Sequence, residues 1–579
     1  METLSKLMSE ISKFNLSDFI TSHLDIICSW FIYDPQKPLL FNSPLFLGMF
    51  TIFYILYVLI RNQRYDLLRK VYLIVFSLFF YYKAGGNYYI LLLICAVITH
   101  LLAKKMYVLK EQSSRKLLLS LIIIANLGML AYYKYTNFFI QNINEILNKH
   151  YELWDIILPI GISFFVFEAI SYAVDLYRRE MEPAHSTLDF CFYISFFPKL
   201  VAGPIIRAKD FLPQMYKPLH LTRDDMSKAL FLILLGLIKK AVISDYISTN
   251  FVDRVFDAPE LYSSFENLMA VYGYTLQIYC DFSGYSDIAI GLSLLMGFSI
   301  PPNFLTPYKS KSITEFWRRW HISLSSWLRD YLYISLGGNR KGKIRTYFNL
   351  FMTMLIGGLW HGASWKFVIW GGLHGGILAV ERFYKQMFKK ENNRILHTFL
   401  SLLVAIVIFF MLSQNAVNTI AVYFVDIDKY PFSETFFIAL AIIKYVLIVL
   451  VLGYTIYIMP NNFVCRFICI LLTFHFVAFC WIFFRAGNFN LAGDVIAKIG
   501  DLTFEPDHWL TIITAYKNVF ILVAIGYILH LLPEHLVNWI KVQFSNTPMI
   551  FKAIVAGFVF WLVFATMSSG PQPFIYFQF

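Results

Sequence analysis

Charged side chains are scarce in this sequence: they make up 15% of it, against roughly 25% in a soluble domain. The seven cysteines form no Cys-x-x-Cys pair and no metal-type spacing, which argues against a disulfide framework and a structural zinc site. No P-loop, dinucleotide fingerprint or Gly-x-Ser-x-Gly turn occurs. No removable signal peptide is expected at the start. What remains is a chain that is 58% hydrophobic.

Apolar runs of membrane-spanning length recur along the chain and predict an all-α polytopic membrane protein. The net charge of +12 does not predict nucleic-acid binding, because the basic residues lie in short loops between apolar runs, as expected for cytoplasmic loops. We predict about twelve membrane helices from these runs. Besides the glycine-rich segment after residue 347, they lie near residues 44–60, 70–83, 87–103, 117–139, 157–177, 228–248, 267–298, 396–413, 436–459, 463–484, 517–533 and 550–567.

Residues 1–41 are predicted to be an N-terminal extension, and residues 42–579 a single membrane domain. Its core is expected at about residues 157–384, followed by C-terminal helices at residues 385–579. Residues 189–206 are interrupted by proline and glycine and flanked by basic segments, which favours a re-entrant hairpin. Asp281 and Asp287 fall within one apolar run, so we expect them either to pair with basic groups or to belong to a functional site.

The most basic region, residues 299–345, holds nine Lys or Arg residues against two acids and is therefore predicted to be cytoplasmic. The spacing of Ser312 and Glu315 is typical of a capping box that begins a helix, and Gly337 and Gly338 would end it. The region predicts an amphipathic helix at the inner membrane surface. Its apolar face would carry Trp317, Trp320, Leu324, Trp327 and Tyr331, whereas Arg318, Arg319 and Arg329 would lie elsewhere around the helix.

Two histidines are candidate functional residues. His361 follows an apolar run, and seven glycines lie between Gly357 and Gly376, a density that permits close helix contacts or the wall of a cavity. His321 lies within one turn of Trp317. A neutral imidazole suits a general base at neutral pH. The alternatives are a structural histidine in a tight helix bundle and, for the basic region, snorkelling side chains that contact anionic lipid.

An ordered set of motifs resembles the membrane-bound O-acyltransferase (MBOAT) family, in particular its bacterial branch that O-acetylates alginate. The resemblance extends from about residue 42 to the end of the sequence. The motifs are Pro159–Phe165, Phe196–Pro198 with Ala202–Ile205, Tyr274–Gly291, Pro302–Phe304, Phe316–Ser325, Trp327–Ile334, Leu336–Arg340, Leu359–Trp365, Trp481–Arg485 and Phe574–Phe579.

The resemblance implies helices around a central tunnel, with His361 deep inside it as the essential catalytic residue. His361 would take the proton from the acceptor hydroxyl as that hydroxyl attacks an acyl thioester. His321 would orient the acyl carbonyl or stabilise the developing oxyanion. We assign His374 no role. The residues expected to contact substrates are Arg318 and Arg319, which would bind donor phosphates, together with Trp317, Trp320, Asp281, Trp360 and Trp365.

The resemblance also implies the reaction partners. The donor would be acetyl-CoA or another acyl thioester, used as a substrate, and no tightly bound cofactor or metal is expected. The acceptor would be a cell-surface glycan outside the cytoplasm, reached directly or through a periplasmic acetyltransferase resembling SGNH hydrolases. The protein would be a multi-pass protein of the bacterial inner (plasma) membrane.

Two other functions remain open. One is D-alanyl transfer from a carrier protein to teichoic acid, although the related subunits are shorter and lack much of the C-terminal region. The other, from a different class, is a transporter or channel with histidines on its pathway. No inverted repeat and no matched pair of broken helices supports the transporter.

Overall fold

The computed structural model describes residues 29–35, 38–387, 451, 463–566, 572 and 574, and these contain helices but no β-strand. The first helices are α1 (Pro44–Ile60), α2 (Asp66–Gly85), α3 (Tyr89–Val108), α4 (Gln112–Leu130), α5 (Thr136–Leu147), α6 (Ile162–Arg178), α7 (Thr187–Ser195), α8 (Phe197–Leu200) and α9 (Ala208–Met215). The middle of the chain forms α10 (Arg223–Leu237), α11 (Asp253–Asp257), α12 (Ser264–Leu295), α13 (Ile313–Arg319), α14 (Ile322–Trp327), α15 (Lys343–His361) and α16 (Trp365–Met387). The last helices are α17 (Phe463–Arg485), α18 (Phe489–Gly500), α19 (Pro506–Ala515), α20 (Lys517–Leu531), α21 (Glu534–Asn546) and α22 (Met549–Thr566).

Four helical segments of the described residues are long and apolar enough to cross a membrane: Asp66–Val108, Gln112–Leu147, Val464–Arg485 and Met549–Thr566. The helices α19 and α20 pass the same test together but are bent by 92° at their junction, so they would count as a fifth. The predicted count of about twelve is thus not confirmed. Two of the predicted spans, at residues 396–413 and 436–459, lie outside the described residues.

Several predicted spans are helices that are covered by protein. In α6, 14 of 17 residues are buried, including Glu168. In α12, Asp281 binds Lys240 at 2.5 Å and Asp287 binds Lys239 at 2.7 Å, so both acids pair with lysines as one of the two sequence interpretations expected. Paired charges of this kind lower the mean hydropathy of a helix without exposing charge to lipid.

The interruption predicted at residues 189–206 is present. The helix α7 ends at Ser195 and the single turn of α8 follows. Lys199 in that turn is buried and pairs with Glu168 of α6 at 2.5 Å. Phe197 packs edge-on against Phe76, with 5.1 Å between ring centroids, inside a cluster of aromatic side chains. The segment is therefore fixed in the protein core by a buried ion pair and by aromatic packing.

The predicted amphipathic helix from Ser312 onwards is wrong in two respects. It begins as expected, since the Ser312 hydroxyl accepts a hydrogen bond from Glu315 N at 3.1 Å. It then breaks at His321, whose φ of 43° lies in the left-handed region, and resumes as α14. The aromatic stripe also faces the protein core instead of a membrane surface: Trp320 is 1% exposed and Leu324 is 1% exposed.

Helices α15 and α16 approach each other closely through glycines. A Cβ atom added at Gly358 would stand 2.2 Å from the Phe367 carbonyl oxygen and 3.0 Å from the Gly371 Cα atom. At Gly371, a Cβ atom would stand 2.4 Å from the Met354 carbonyl oxygen. At Gly358 and Gly371 the glycine therefore has a direct physical reason: the two backbones leave no room there for a side chain.

This contact predicts that Gly358→Ala destabilises the protein by about 1–3 kcal/mol, because the added methyl group forces α15 and α16 apart. The measurement is thermal unfolding of purified protein in detergent. Gly376→Ala is the matched control, since nothing lies within 4 Å of a Cβ atom at that position of α16. Equal melting temperatures for the two variants would contradict the close contact.

Candidate active site

His361 is the last residue of α15 and is 2% exposed. Its ring is enclosed by three aromatic rings, with centroid distances of 5.0 Å to Trp360, 5.1 Å to Trp370 and 5.3 Å to Phe484. The next residue must be glycine, because a Cβ atom at Gly362 would stand 2.1 Å from the Phe367 ring. The imidazole therefore sits in a dry aromatic cage at a helix end.

The carboxyl end of α15 is held by two side chains from the π-helical turn that follows α4. Lys134 Nζ donates hydrogen bonds to the carbonyl oxygens of Trp360 at 2.7 Å and His361 at 2.9 Å. The hydroxyl of Tyr135 donates to the carbonyl oxygen of Leu359 at 2.8 Å. Helix ends leave their last carbonyl groups without intrahelical donors, and they carry partial negative charge. The Lys134 ammonium group supplies donors for two of these carbonyl oxygens, and its positive charge is attracted to their partial negative charge.

His321 occupies the break between α13 and α14 and is 0% exposed. The Phe282 ring meets it edge to face at 4.6 Å between centroids. The Trp360 ring packs against both histidines, with centroid distances of 6.2 Å to His321 and 5.0 Å to His361. On the other side of His321, Asn303 Oδ1 accepts a hydrogen bond from Nδ1 at 3.2 Å. The structure thus brings both predicted histidines to the same aromatic layer.

The segment after His321 is locked onto α6 and its neighbours. The Trp327 ring stacks on Phe167 at 3.7 Å, and its Nε1–H donates to the Phe167 carbonyl oxygen at 2.9 Å. Asp330 pairs with Arg207 at 2.5 Å and with Arg329 at 2.6 Å. Burial disfavours ionisation of Asp330, but hydrogen bonds from Arg329 and Arg207 outweigh burial and lower the pKa of this carboxyl group. These contacts fix the orientation of α14 and hence of His321.

A cavity of about 1430 Å³ is lined in part by Phe304, whose ring also packs against His321. Among the residues that the structure describes, basic side chains outnumber acidic ones in its lining. The basic residues are Lys239, Lys309, Lys311, Arg318, Arg319, Arg382, Lys385, Arg466 and Lys541, and the acidic residues are Asp287, Glu315, Glu381 and Glu534. The surplus of positive charge gives the cavity the electrostatics expected of a site for an anionic ligand.

The cavity stops short of the histidines. Phe304 lines the cavity. Its ring also packs against Trp320, at 5.0 Å between ring centroids, and against His321, at 6.5 Å. Neither His321 nor His361 is a lining residue. Phe304 therefore contacts both the charged cavity and the ring of His321.

The two predicted phosphate-binding arginines both line this cavity. Arg319 is already engaged, because it pairs with Glu315 at 2.9 Å and donates to the Leu305 carbonyl oxygen at 3.2 Å. Arg318 is exposed and makes no ion pair among the residues that the structure describes. Of the two, Arg318 is the better placed to meet an incoming anion.

Other predicted site residues are more scattered. Trp317 donates through Nε1 to His374 Nδ1 at 3.3 Å, which gives His374 a packing role. Asp281 is held by Lys240. Trp365 is 52% exposed and donates to Asn142 Oδ1 at 2.8 Å, away from the aromatic cage. Of the predicted tryptophans, Trp360 is the one whose ring packs against both His321 and His361 in the described structure.

The described residues contain no group of three or more His, Cys, Asp or Glu side chains arranged to hold a metal ion. The sequence expectation that no metal or tightly bound cofactor is needed stays a prediction.

A family model described as the membrane-bound O-acyltransferase family matches residues 78–423, which is more than half of the chain. The protein belongs to the membrane-bound O-acyltransferase family. The match includes His321, Trp360, His361 and Trp370 but not Phe484, and it confirms the family resemblance that the sequence motifs indicated.

Individual relatives carry different names. The chain is 48% identical over 264 residues to the Pseudomonas aeruginosa protein named "Probable alginate O-acetylase AlgI". This match covers 45% of this chain and 50% of that protein. It is 37% identical over 380 residues to the Helicobacter pylori peptidoglycan O-acetyltransferase, covering 61% of this chain and 72% of that one. It is 32% identical over 260 residues to the Bacillus subtilis teichoic acid D-alanyltransferase, and this match covers 42% of this chain and 63% of that protein. The matches span about half the length of the alginate proteins.

Lys134, Tyr135 and Asn303 are site residues of this MBOAT protein that sequence reasoning did not select. A signal existed for Lys134, since an ionisable residue in an apolar run is expected to have a specific partner or function. Asn303 falls in the quoted motif Pro302–Phe304, but its partner is 18 positions away, so spacing alone did not reveal the contact.

Lys134→Met is expected to lower the thermal stability of the protein, because two buried carbonyl groups lose their donor, at about 1–3 kcal/mol for each group left unsatisfied. Melting in detergent measures the effect. Lys116→Met is the control, because Lys116 is exposed on α4, the helix that leads into the same turn. If Lys134→Met melts like Lys116→Met, the hydrogen bonds at the end of α15 do not stabilise the fold.

Proposed function

We propose that this protein is an O-acyltransferase that moves an acetyl group from a cytoplasmic thioester, most simply acetyl-CoA, to a hydroxyl group of an extracytoplasmic polysaccharide. The observation that carries the proposal is the pair His321 and His361 in one dry aromatic layer, which Phe304 connects to a cavity with a surplus of basic residues. We propose the bacterial inner membrane as its location, with delivery directly to the glycan or through a periplasmic acetyltransferase partner.

In the proposed reaction, His361 takes the proton of the acceptor hydroxyl as its oxygen attacks the thioester carbonyl carbon. A C–O bond forms and the C–S bond breaks. The proton then passes from the imidazolium to the departing thiolate, which leaves as the free thiol. General-base catalysis of this kind contributes typically about 10²–10⁴-fold to a rate. The aromatic cage favours the reaction by excluding water, which would otherwise hydrolyse the thioester.

The cavity supports an anionic donor. An acyl group on coenzyme A is attached to an uncharged arm that ends in phosphates, and Arg and Lys bind phosphate well. In this arrangement the phosphates stay in the basic cavity near Arg318, while the thioester passes Phe304 towards the histidines. The surplus of basic residues around the cavity is the feature of the structure that favours a phosphate-bearing donor.

D-alanyl transfer from a carrier protein to teichoic acid is the second candidate. It is favoured by the 32% identity to the Bacillus subtilis teichoic acid D-alanyltransferase. Acetyl transfer to a glycan is preferred, because the identity to the protein named "Probable alginate O-acetylase AlgI" is 48% and the match to the peptidoglycan O-acetyltransferase covers 61% of this chain. Binding of acyl-CoA compared with acyl-carrier protein to the purified protein distinguishes the two candidates.

Replacing His361 by Ala is expected to lower acyl transfer by at least about 100-fold, because the proposed proton acceptor is lost. The assay is ester-linked acetate on envelope and extracellular glycans of cells carrying wild type, His361→Ala or no copy. His475→Ala is the matched control. It removes an exposed histidine of α17 that bonds to Tyr272 at 3.1 Å, outside the aromatic cage.

The expected outcome is that acetate falls equally in cells with His361→Ala and in cells with no copy, while His475→Ala retains it. If purified His361→Ala melts at the same temperature as wild type, misfolding is excluded as the cause of the lost acetate transfer. Retained transfer by a stable His361→Ala protein would contradict the proposed base. If the amount of ester-linked acetate is the same in all strains, either the proposed acyl group or the proposed class of acceptor is wrong, and D-alanine esters would then be assayed.

Arg318→Ala is expected to raise the KM for the acyl donor by about tenfold with little change in kcat, since a charge-assisted phosphate contact is worth about 1.5–3 kcal/mol. The effect should shrink as ionic strength rises. Arg340→Ala is the control, because Arg340 is an exposed arginine outside the lining of the large cavity. Equal donor KM values for the two variants would remove Arg318 from the donor site.

A further inference from the structure

Asn303 makes four hydrogen bonds to the turn that carries His321. It lies between α12 and α13 and is 1% exposed. Its backbone carbonyl oxygen accepts from Ile322 N at 3.0 Å. Its side-chain Oδ1 accepts from Ser323 N at 3.1 Å, from the Ser323 hydroxyl at 2.9 Å and from His321 Nδ1 at 3.2 Å. One amide oxygen thus collects three donors from residues 321–323.

The orientation of the Asn303 amide follows from its backbone partner. The N–H group of Ser323 can only donate, so the atom facing it must be the oxygen. The Ser323 hydroxyl accepts a hydrogen bond from Ile205 N at 3.0 Å, which leaves its own proton to be donated to Asn303. A turned amide would place its NH₂ group against another donor. Asn303 Nδ2 has no hydrogen-bond partner in the described part of the chain, so the oxygen is the atom that this site uses.

The orientation of the Asn303 amide also determines the tautomer of His321. Because Asn303 Oδ1 can only accept, the hydrogen bond between them requires a proton on Nδ1 of the imidazole. In a neutral imidazole the other nitrogen, Nε2, then carries the lone pair. Neutral His321 can therefore accept a hydrogen bond through Nε2 but cannot donate one from that atom to an oxyanion.

The turn itself needs an external support. His321 has a φ of 43°, a left-handed conformation that costs a non-glycine residue about 1–2 kcal/mol. Such strained residues persist where surrounding contacts hold them, and they are frequent at functional sites. The contacts from Asn303 to His321, Ile322 and Ser323 provide that support and aim the ring at the aromatic layer around Trp360.

We propose that Asn303 is a positioning residue that keeps the proton of His321 on Nδ1, so that Nε2 accepts a hydrogen bond from a hydroxyl group of the acyl acceptor. The proposal rests on the acyltransferase function proposed above. A polysaccharide presents neighbouring hydroxyl groups, so one can donate to His321 while another loses its proton to His361. His321 then acts on the acceptor side of the reaction, and oxyanion stabilisation is left to other groups.

Asn303→Asp is the most informative variant, because it keeps the accepting oxygens and adds a negative charge beside His321. The carboxylate stabilises the imidazolium form, which has no lone pair on Nε2. We expect the acidic limb of the pH profile of kcat to move to higher pH by about one unit. Asn303→Ala removes the acceptor, and kcat is expected to fall about 10- to 100-fold with the donor KM near the wild-type value.

Ser323→Ala is the matched control. It deletes the hydroxyl that donates to Asn303 Oδ1 at 2.9 Å and lies 3.5 Å from His321 Nδ1, and it leaves the bond between Asn303 and His321 in place. Its pH profile is expected to match that of wild type. A profile that is unchanged in Asn303→Asp, or that shifts equally in Ser323→Ala, would overturn the assigned role of Asn303.

A second measurement does not depend on activity. Histidine labelled with ¹⁵N in the purified protein reports by NMR which ring nitrogen is protonated, and the signal missing from His321→Gln identifies His321 among the 13 histidines. We expect a protonated Nδ1 in wild type and a loss of that preference in Asn303→Ala. The opposite tautomer in wild type overturns the proposal. If wild type is inactive towards every acyl donor, the proposed function is wrong, but the NMR measurement still tests the tautomer of His321.

Discussion

The main constraint on this structure is that buried polar groups, which cannot reach water, need hydrogen-bond partners within the protein. The clearest example is the carboxyl end of α15. The carbonyl groups of Leu359, Trp360 and His361 would be unsatisfied at a helix end enclosed by aromatic rings. Lys134 and Tyr135 supply the three missing donors from another helix. Because these bonds act on the backbone of His361 itself, the same contacts that satisfy the helix end also determine where the imidazole stands.

The same constraint explains why many helices of this membrane protein do not resemble simple apolar spans. Glu168 of α6 lies in the protein interior and meets Lys199 from an interrupted segment at 2.5 Å. Removing one partner of such a pair would leave a charge without compensation, which is far more costly than the pair itself. Paired charges therefore replace apolar surface where protein covers protein. In α22, by contrast, exposed side chains such as Trp561, which is 62% exposed, are apolar, as expected for a surface that faces lipid.

Sequence reasoning succeeded where structure depends on neighbours in the chain and failed where it depends on distant ones. The start of α13 at Ser312 and the break near residue 196 follow from local capping and from proline and glycine. The break at His321 does not, because a heptad-like aromatic stripe continues across it, and the contact that holds it comes from Asn303. The family motif pointed to His361, but no local pattern indicates that Lys134 donates to its carbonyl group. Trp365 is a related case: its motif position suggested the site, and its side chain donates to Asn142, outside the aromatic cage.

The arrangement separates two tasks that need opposite environments. Recognition of a phosphate-bearing donor is best done in a wet cavity, where several Lys and Arg side chains keep their charge at little desolvation cost. Proton transfer from a hydroxyl group is best done in a dry layer, where hydrogen bonds are strong and water cannot compete for the acyl group. Phe304 contacts both environments, because it lines the cavity and packs against His321. A donor that satisfies both must therefore keep its charge at one end of a long, uncharged arm and its thioester at the other. Coenzyme A and carrier-bound thioesters share that design, so in the proposed reaction the charged residues of the cavity, and not the histidine layer, would discriminate between them.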